Sequence, residues 1–375
     1  MTSRKVLILG IVAILAVGGG LLLAGRETSS PGAESAALYP DLKKELDAVT
    51  AIRLVKAGGQ PALELKRGDS GWTIAERANY PADDAKLRKL ITSLSEAKLV
   101  EEKTSNAESY KTLGVEDISD AAASGVQIEI DGPKQPVKLI VGKQASGGQS
   151  HYVRRAGEPQ SWLVNKSIDT SSSADQWLKK QIIDVSADRV QSAQVAVAGA
   201  KPYTASKKSR ADADFAVEGL PKGKELSSPT AADSFATALA GLTLTDVQSA
   251  SAVSGEPSAR ATIKTFDGLV TEASGWKKDD KHFISLKTSH DPALADRFKA
   301  AAAEPAKPDA APATGEGTPP SAAETKPAAE PAKPTTVNVA EESTKTNAQV
   351  DGWVYEIPAY KYDAIFKPVD ELVKK

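Results

Sequence analysis

Cysteine is absent from all 375 residues, which excludes disulfides, thiolate nucleophiles, cysteine-based metal sites and a lipidated lipoprotein cysteine. Aromatic residues reach only 5% and methionine occurs once, so any core must be built from Leu, Val, Ile and Ala. Histidine occurs three times, at 151, 282 and 290, and no spacing among these resembles H-E-x-x-H or another zinc pattern. Neither sign of charge dominates. Against 47 Lys and Arg stand 49 Asp and Glu, and a net charge of −2 supplies no field for nucleic acid. No metal, no cofactor and no nucleic-acid partner are expected. Apolar residues are present at 41%, and the length suits two ordinary domains.

Long hydrophobic runs are also scarce; there is one. In MTSRKVLILGIVAILAVGGGLLLAGRE the residues from Val6 to Ala24 carry no charge and are flanked by Arg4, Lys5 and Arg26. Nineteen residues at ~1.5 Å each just cover a hydrocarbon layer of ~30 Å. The run is longer than a signal-peptide core and lacks a good A-x-A site, yet Gly18-Gly19-Gly20 weakens it as a helix. An uncleaved anchor and a cleaved signal peptide therefore both stay open. As an anchor it makes a single pass through the bacterial inner membrane over residues 6–24. The flanking positive charges keep the N-terminus cytoplasmic and place the bulk of the chain in the periplasm.

Beyond the linker, the chain says most things twice. SWLVNKSIDTSSSADQWLKK at 161–180 and GWVYEIPAYKYDAIFKPVDELVKK from 352 each run from Trp through a short apolar strand to a lysine-tipped helical segment. VTAIRLV is echoed by VQSAQVAV, GWTIAE by DFAVEG, VQIEIDG by ATIKTFDG, and SHYVRR by KHFISLK. Pro81 and the pair Asp83-Asp84 open a helix whose Leu87, Leu90, Ile91 and Leu94 form one apolar stripe. Phe235, Ala238, Leu239 and Leu242 repeat that stripe 148 residues later, with Thr230 and Asp233 as a capping-box variant. The fold class expected is α+β: two tandem copies of a mainly antiparallel sheet module with a covering helix, preceded by one transmembrane helix. The boundaries are 1–26 for the anchor or signal peptide, 27–38 for a linker, 39–183 for the first module and 184–375 for the second. An Ala/Pro-rich stretch without aromatics, 300–348, interrupts the second module and is expected to be disordered.

Candidate chemistry is thin. VGKQASGGQSHYV carries its lysine before the glycine pair and leads into a strand, so it reads as a hairpin loop rather than a phosphate loop. Asp131, Asp267, Asp279 and Asp280 fall at turns, where aspartate bonds its own backbone. The serines of DTSSSADQW lack the strand–elbow–helix setting of a nucleophile. No catalytic residue is assigned. Trp72, Trp162, Trp177 and Trp353 recur at strand or repeat-equivalent positions and read as core anchors. Trp276 lies in the charged stretch ASGWKKDDKH, and with Tyr360 and Tyr362 it is the expected surface contact.

LYPDLKKELDAVTAIRL, GWTIAERANYPADDAKLRKLITSLSEAKLVEEKT, YKTLGVED and KLIVGK together resemble an uncharacterised bacterial family of membrane-anchored proteins, a domain of unknown function. The likeness covers most of 39–300; the Ala/Pro stretch departs from the family pattern. Members of that family accompany ABC transporter subunits of the gliding-motility type. The resemblance implies a non-enzymatic periplasmic accessory or binding subunit, with an ABC permease and its ATPase as partners, and supplies no catalytic residues. Two other functions are kept: a periplasmic protein gripping an envelope glycan or lipid between its modules, and a carboxylate-based envelope hydrolase.

Overall fold

The structure, a computed structural model, describes residues 36–303 and 338–374. The hydrophobic run 6–24 and the greater part of the Ala/Pro stretch lie outside the described residues. Among the described residues no helix is long and apolar enough to cross a membrane. The chain divides into two units. Residues up to Glu76 with Pro81–Trp177 make the first; Arg77–Tyr80 with the chain from Leu178 onward make the second.

The first unit is an antiparallel sheet of Ala51–Lys56 (β1), Gln60–Gly68 (β2), Gly71–Ile74 (β3), Leu99–Glu102 (β4), Val126–Asp131 (β5), Val137–Gln144 (β6), His151–Arg155 (β7) and Ser161–Val164 (β8). Their spatial order is β3-β2-β1-β5-β6-β7-β8-β4. Alternation in the sequence fixes the two faces. Ile52 lies opposite Leu65 and Ile130, and Leu54 opposite Leu63 and Ile128, all fully buried. The intervening Arg53 lies opposite Glu64 and Glu129 on the other face. There its guanidinium bonds Asp131 at 2.6 Å and Glu129 at 3.1 Å. Asp84–Glu96 (α1) forms where the stripe predicts. The Asp83 side chain accepts from the N–H groups of Ala85 and Lys86, and Leu87, Leu90, Ile91 and Leu94 are buried. A single turn, Tyr110–Leu113 (α2), ends on Gly114 at φ 74.

The second unit holds Val190–Val197 (β9), Tyr203–Ser206 (β10), Ala216–Glu218 (β11), Asp246–Ser249 (β12), Ala259–Thr265 (β13), Leu269–Lys278 (β14), Lys281–His290 (β15) and Trp353–Ile357 (β16). Their order is β11-β10-β9-β13-β14-β15-β16-β12. Strand for strand, this repeats the order of the first sheet. The cores differ in grain. Ala193, Ala205, Ala261 and Ala273 are buried on the second sheet, and the buried rings of Phe215, Phe235, Tyr355, Tyr362 and Phe366 supply the bulk of that unit's core.

Two expectations fail here. The second apolar stripe does not form an α-helix: residues Asp233–Thr237 make a short 3-10 segment and Leu242–Thr243 pairs as a strand with Gln181–Ile183. The stripe is still buried, but despite its alanines the segment is cut short by Gly241 at φ 52, after which the chain turns extended and Leu242 pairs as a strand. The Asp233 carboxylate, instead of capping a helix, accepts from Phe215 N–H. The second correction concerns the stretch 300–348. Pro292–Ala303 (α3) runs into it, and Val339–Val350 (α4) covers its last part. Asn338 caps α4, Glu342 pairs with Arg189, and Asn347 trades hydrogen bonds with the backbone of Thr288 in β15. These are long-range partners, invisible to a local reading of composition. A last helix, Ala359–Ile365 (α5), follows β16.

Candidate functional site

β14 and β15 form a hairpin in which Trp276 pairs with Phe283, and Gly275 with Ile284. Ile284 faces the core, so Trp276 and Phe283 stand together on the opposite face. The hairpin turns at Asp279-Asp280 with Asp279 at φ 54, a left-handed position that aspartate tolerates. Between this pair and the loop that follows β12 lies a cleft of about 550 Å³, lined by Trp276, Phe283, Gln248, Glu256, Lys278 and Asp279 among others. The indole N–H of Trp276 donates to the Gly255 carbonyl at 3.1 Å, which uses its polar handle and leaves the half-buried ring to form the wall.

The cations around the cleft are unequal. Lys281 bonds Glu356 at 2.7 Å, and that carboxylate raises its pKa. Lys277 reaches Asp363 at 3.3 Å and lies 4.9 Å over the Tyr362 ring. Lys278 has no ion pair among the described residues. Glu256 is joined to Arg260 at 2.9 Å. Asp246, at the start of β12, grips Arg77 through two bonds of 2.6 and 2.9 Å. Burial would raise the Asp246 carboxyl, but Arg77 and the Val247 N–H outweigh that and hold it below the usual range. β12, which carries Gln248, is thereby fixed at its first residue. An aromatic wall, one amide and charges of both signs are equipment for holding a group of mixed polarity.

The three expected contact residues do not come together. Trp276 lines the cleft. Tyr360 is 69% exposed on α5 and does not line it. Tyr362 is 2% exposed, which corrects its expected surface role. It packs with Phe366 at 4.7 Å and His282 at 5.0 Å, because Tyr362, Ile365 and Phe366 share one side of α5. Of the four tryptophans read as anchors, Trp177 is fully buried, while Trp72, Trp162 and Trp353 are half-buried on their strands. His151 is buried on β7, His282 half-buried and His290 exposed on β15; among the described residues no three His, Asp or Glu side chains gather as a metal site. Phe283 was not singled out from sequence. Its signal was the turn pair Asp279-Asp280, which sets it opposite Trp276.

The profile of a family described as a domain of unknown function (DUF4340) matches residues 72–260. The chain belongs to that family. The match begins in β3 of the first sheet and ends in β13 of the second, so α1 and His151 lie inside it and the hairpin carrying Trp276 lies beyond it. No curated protein and no solved structure matches the chain.

Proposed function

We propose that the chain is a non-enzymatic accessory subunit of an inner-membrane ABC transporter, tethered on the periplasmic side by residues 6–24, with the Trp276 cleft as one of its contact surfaces. The observation that carries a binding role is the indole of Trp276, pinned by its N–H on Gly255 so that its ring walls an open cleft beside the unpaired Lys278. Rigid, partly buried aromatics such as tryptophan are over-represented among the groups that dominate protein contacts. The transporter as partner rests on the family resemblance. The shared strand order of the two sheets supports their origin as copies of one module. Crosslinking a tagged copy in intact cells, followed by gentle solubilisation, is expected to recover a permease and its ATPase. Replacing 6–24 with a foreign anchor keeps that recovery if the folded units make the contact. Recovery of neither subunit from either form overturns the proposal.

A second reading uses the same cleft for an envelope glycan or lipid, and its mixed lining favours this. It expects such ligands to change tryptophan fluorescence in the wild type and not in Trp276→Phe; equal responses, or none, would reject it.

A further inference from the structure

A second cleft, of about 400 Å³, lies wholly within the first unit. α1 contributes Lys86 and Lys89, β7 contributes His151, and the segment after β8 contributes Ser167 and Asp169. His151 is 8% exposed, and its Nδ1 accepts from the Ile168 N–H at 3.1 Å. A neutral imidazole accepting at Nδ1 carries its proton on Nε2. Burial pushes the ring below the ordinary imidazole pKa. The Lys166 carbonyl nearby opposes that shift, but no ring N–H meets it in hydrogen-bond geometry. The Nε2–H has no partner among the described residues, and it is not among the atoms sealed from solvent. His151 is one of the residues that line the cleft.

The other lining groups divide into spent and unspent. Lys86 is spent: it reaches Asp169 at 3.2 Å and the Gln176 carbonyl at 3.1 Å, and lies 4.5 Å over the Trp177 ring. Asp169, the one carboxylate in the lining, also accepts from the Ser171 N–H at 2.9 Å. The Ser167 hydroxyl accepts from the Gln144 amide at 3.3 Å, which leaves its own hydrogen free to donate. Lys89 is exposed and has no ion pair among the described residues. What remains is a set of donors from three separate elements, one of them on a side chain more than nine-tenths buried. A buried donor is retained where something accepts from it.

We propose that this cleft is an oxyanion site for a phosphate group, with His151 Nε2–H, Lys89 Nζ and Ser167 Oγ–H as donors and Lys86 offsetting the Asp169 carboxylate that shares the lining. Donors converging from three elements suit a tetrahedral group with several acceptor oxygens better than a flat carboxylate. The phosphate can come free or on a lipid headgroup. The proposal stands apart from the Trp276 cleft.

The test is a histidine-selective NMR titration of the full chain in micelles. With only three histidines, each ring can be followed separately. The charges facing His151 are Lys86 and Lys89 from α1 and Asp169 from the segment after β8, while the Lys166 ammonium is held by Glu96 at 2.9 Å. Binding that is tighter to the protonated ring must raise its pKa. Inorganic phosphate at constant ionic strength is expected to raise the His151 pKa and leave His282 and His290 unmoved. Lys89→Ala, on an exposed helix face where alanine is well tolerated, is expected to weaken the phosphate effect about tenfold, the scale of one charge-assisted bond. A response to inorganic phosphate assigns the free ion. A response only to phosphatidic acid in phosphatidylcholine vesicles, and not to phosphatidylcholine alone, assigns the headgroup. No shift at His151 with either probe, equal shifts at all three histidines, or an unchanged response in Lys89→Ala overturns the site and leaves a water-filled cleft.

Discussion

Arg189 joins two stretches of chain that sequence places 153 residues apart. Its guanidinium makes a two-point bond to Glu342 at 2.8 and 2.7 Å and a third bond to Asp267 at 2.8 Å, with its side chain only 13% exposed. Glu342→Gln loses the charge and half of the fork while keeping the volume. It is expected to destabilise the second unit by about 1.5–3 kcal/mol, the range for hydrogen bonds to charged groups, read from denaturant midpoints at unchanged slope. The same cluster gives a pH signature. Burial would raise the Asp267 carboxyl, but bonds from Thr265 and Arg189 outweigh it and hold its pKa below the ordinary value of 3.8. A depressed carboxyl stabilises the fold above its unfolded pKa, and that contribution disappears as pH falls through the folded one. The melting temperature of wild type is therefore expected to drop toward that of Asp267→Asn as pH is lowered from 5 to below the ordinary carboxylate range. A constant gap between the two would contradict it.

Among the elements, α1 and the strands were legible from sequence because their causes are local. Asp83 caps at the position its side chain predicts, and period-two alternation put Ile52 and Leu54 inward and Arg53 outward. The helix at 339–350 was not legible. Of its buried residues only Val339 and Val350 are apolar, and its partners Arg189 and Thr288 are remote in sequence. The stripe at 235–242 misled because burial, helical spacing and alanine content all agree with a helix, while Gly241 at φ 52 and the pairing of Leu242 with Ile183 depend on tertiary context. For the site, the indole of Trp276 could be found from its charged setting, whereas Tyr362 was misplaced by reading IPAYKYDAIF without the i, i+3, i+4 stripe that buries it. That stripe docks at Gly275 of β14. A Cβ built there would come within 2.7 Å of the Phe366 ring and 2.8 Å of the Tyr362 hydroxyl. Gly275→Ala is expected to cost about 1–3 kcal/mol, as overpacking does, and to disturb the adjacent Trp276. A neutral melting temperature with unchanged tryptophan emission would show that α5 can shift aside without cost.

For the molecule as a whole, two sheets with one strand order sit in a chain whose family match starts inside the first and ends inside the second. The sequence echoes showed a repeated succession of elements but no spatial order; the strands that carry the echoes occupy matching places in the two sheets. Function was less accessible, because family membership names no activity and a binding cleft writes no motif. The proposed mode of action is contact with a transporter, partly through Trp276. The intact-cell crosslink, run on wild type and on Trp276→Ala with a foreign anchor in both, decides between contact and its absence. Permease and ATPase recovered with the wild type and markedly reduced with Trp276→Ala is the expected result. Their absence from the wild type, in the native as well as the foreign-anchor form, would contradict the accessory role. Equal recovery with Trp276→Ala would remove the cleft from the contact.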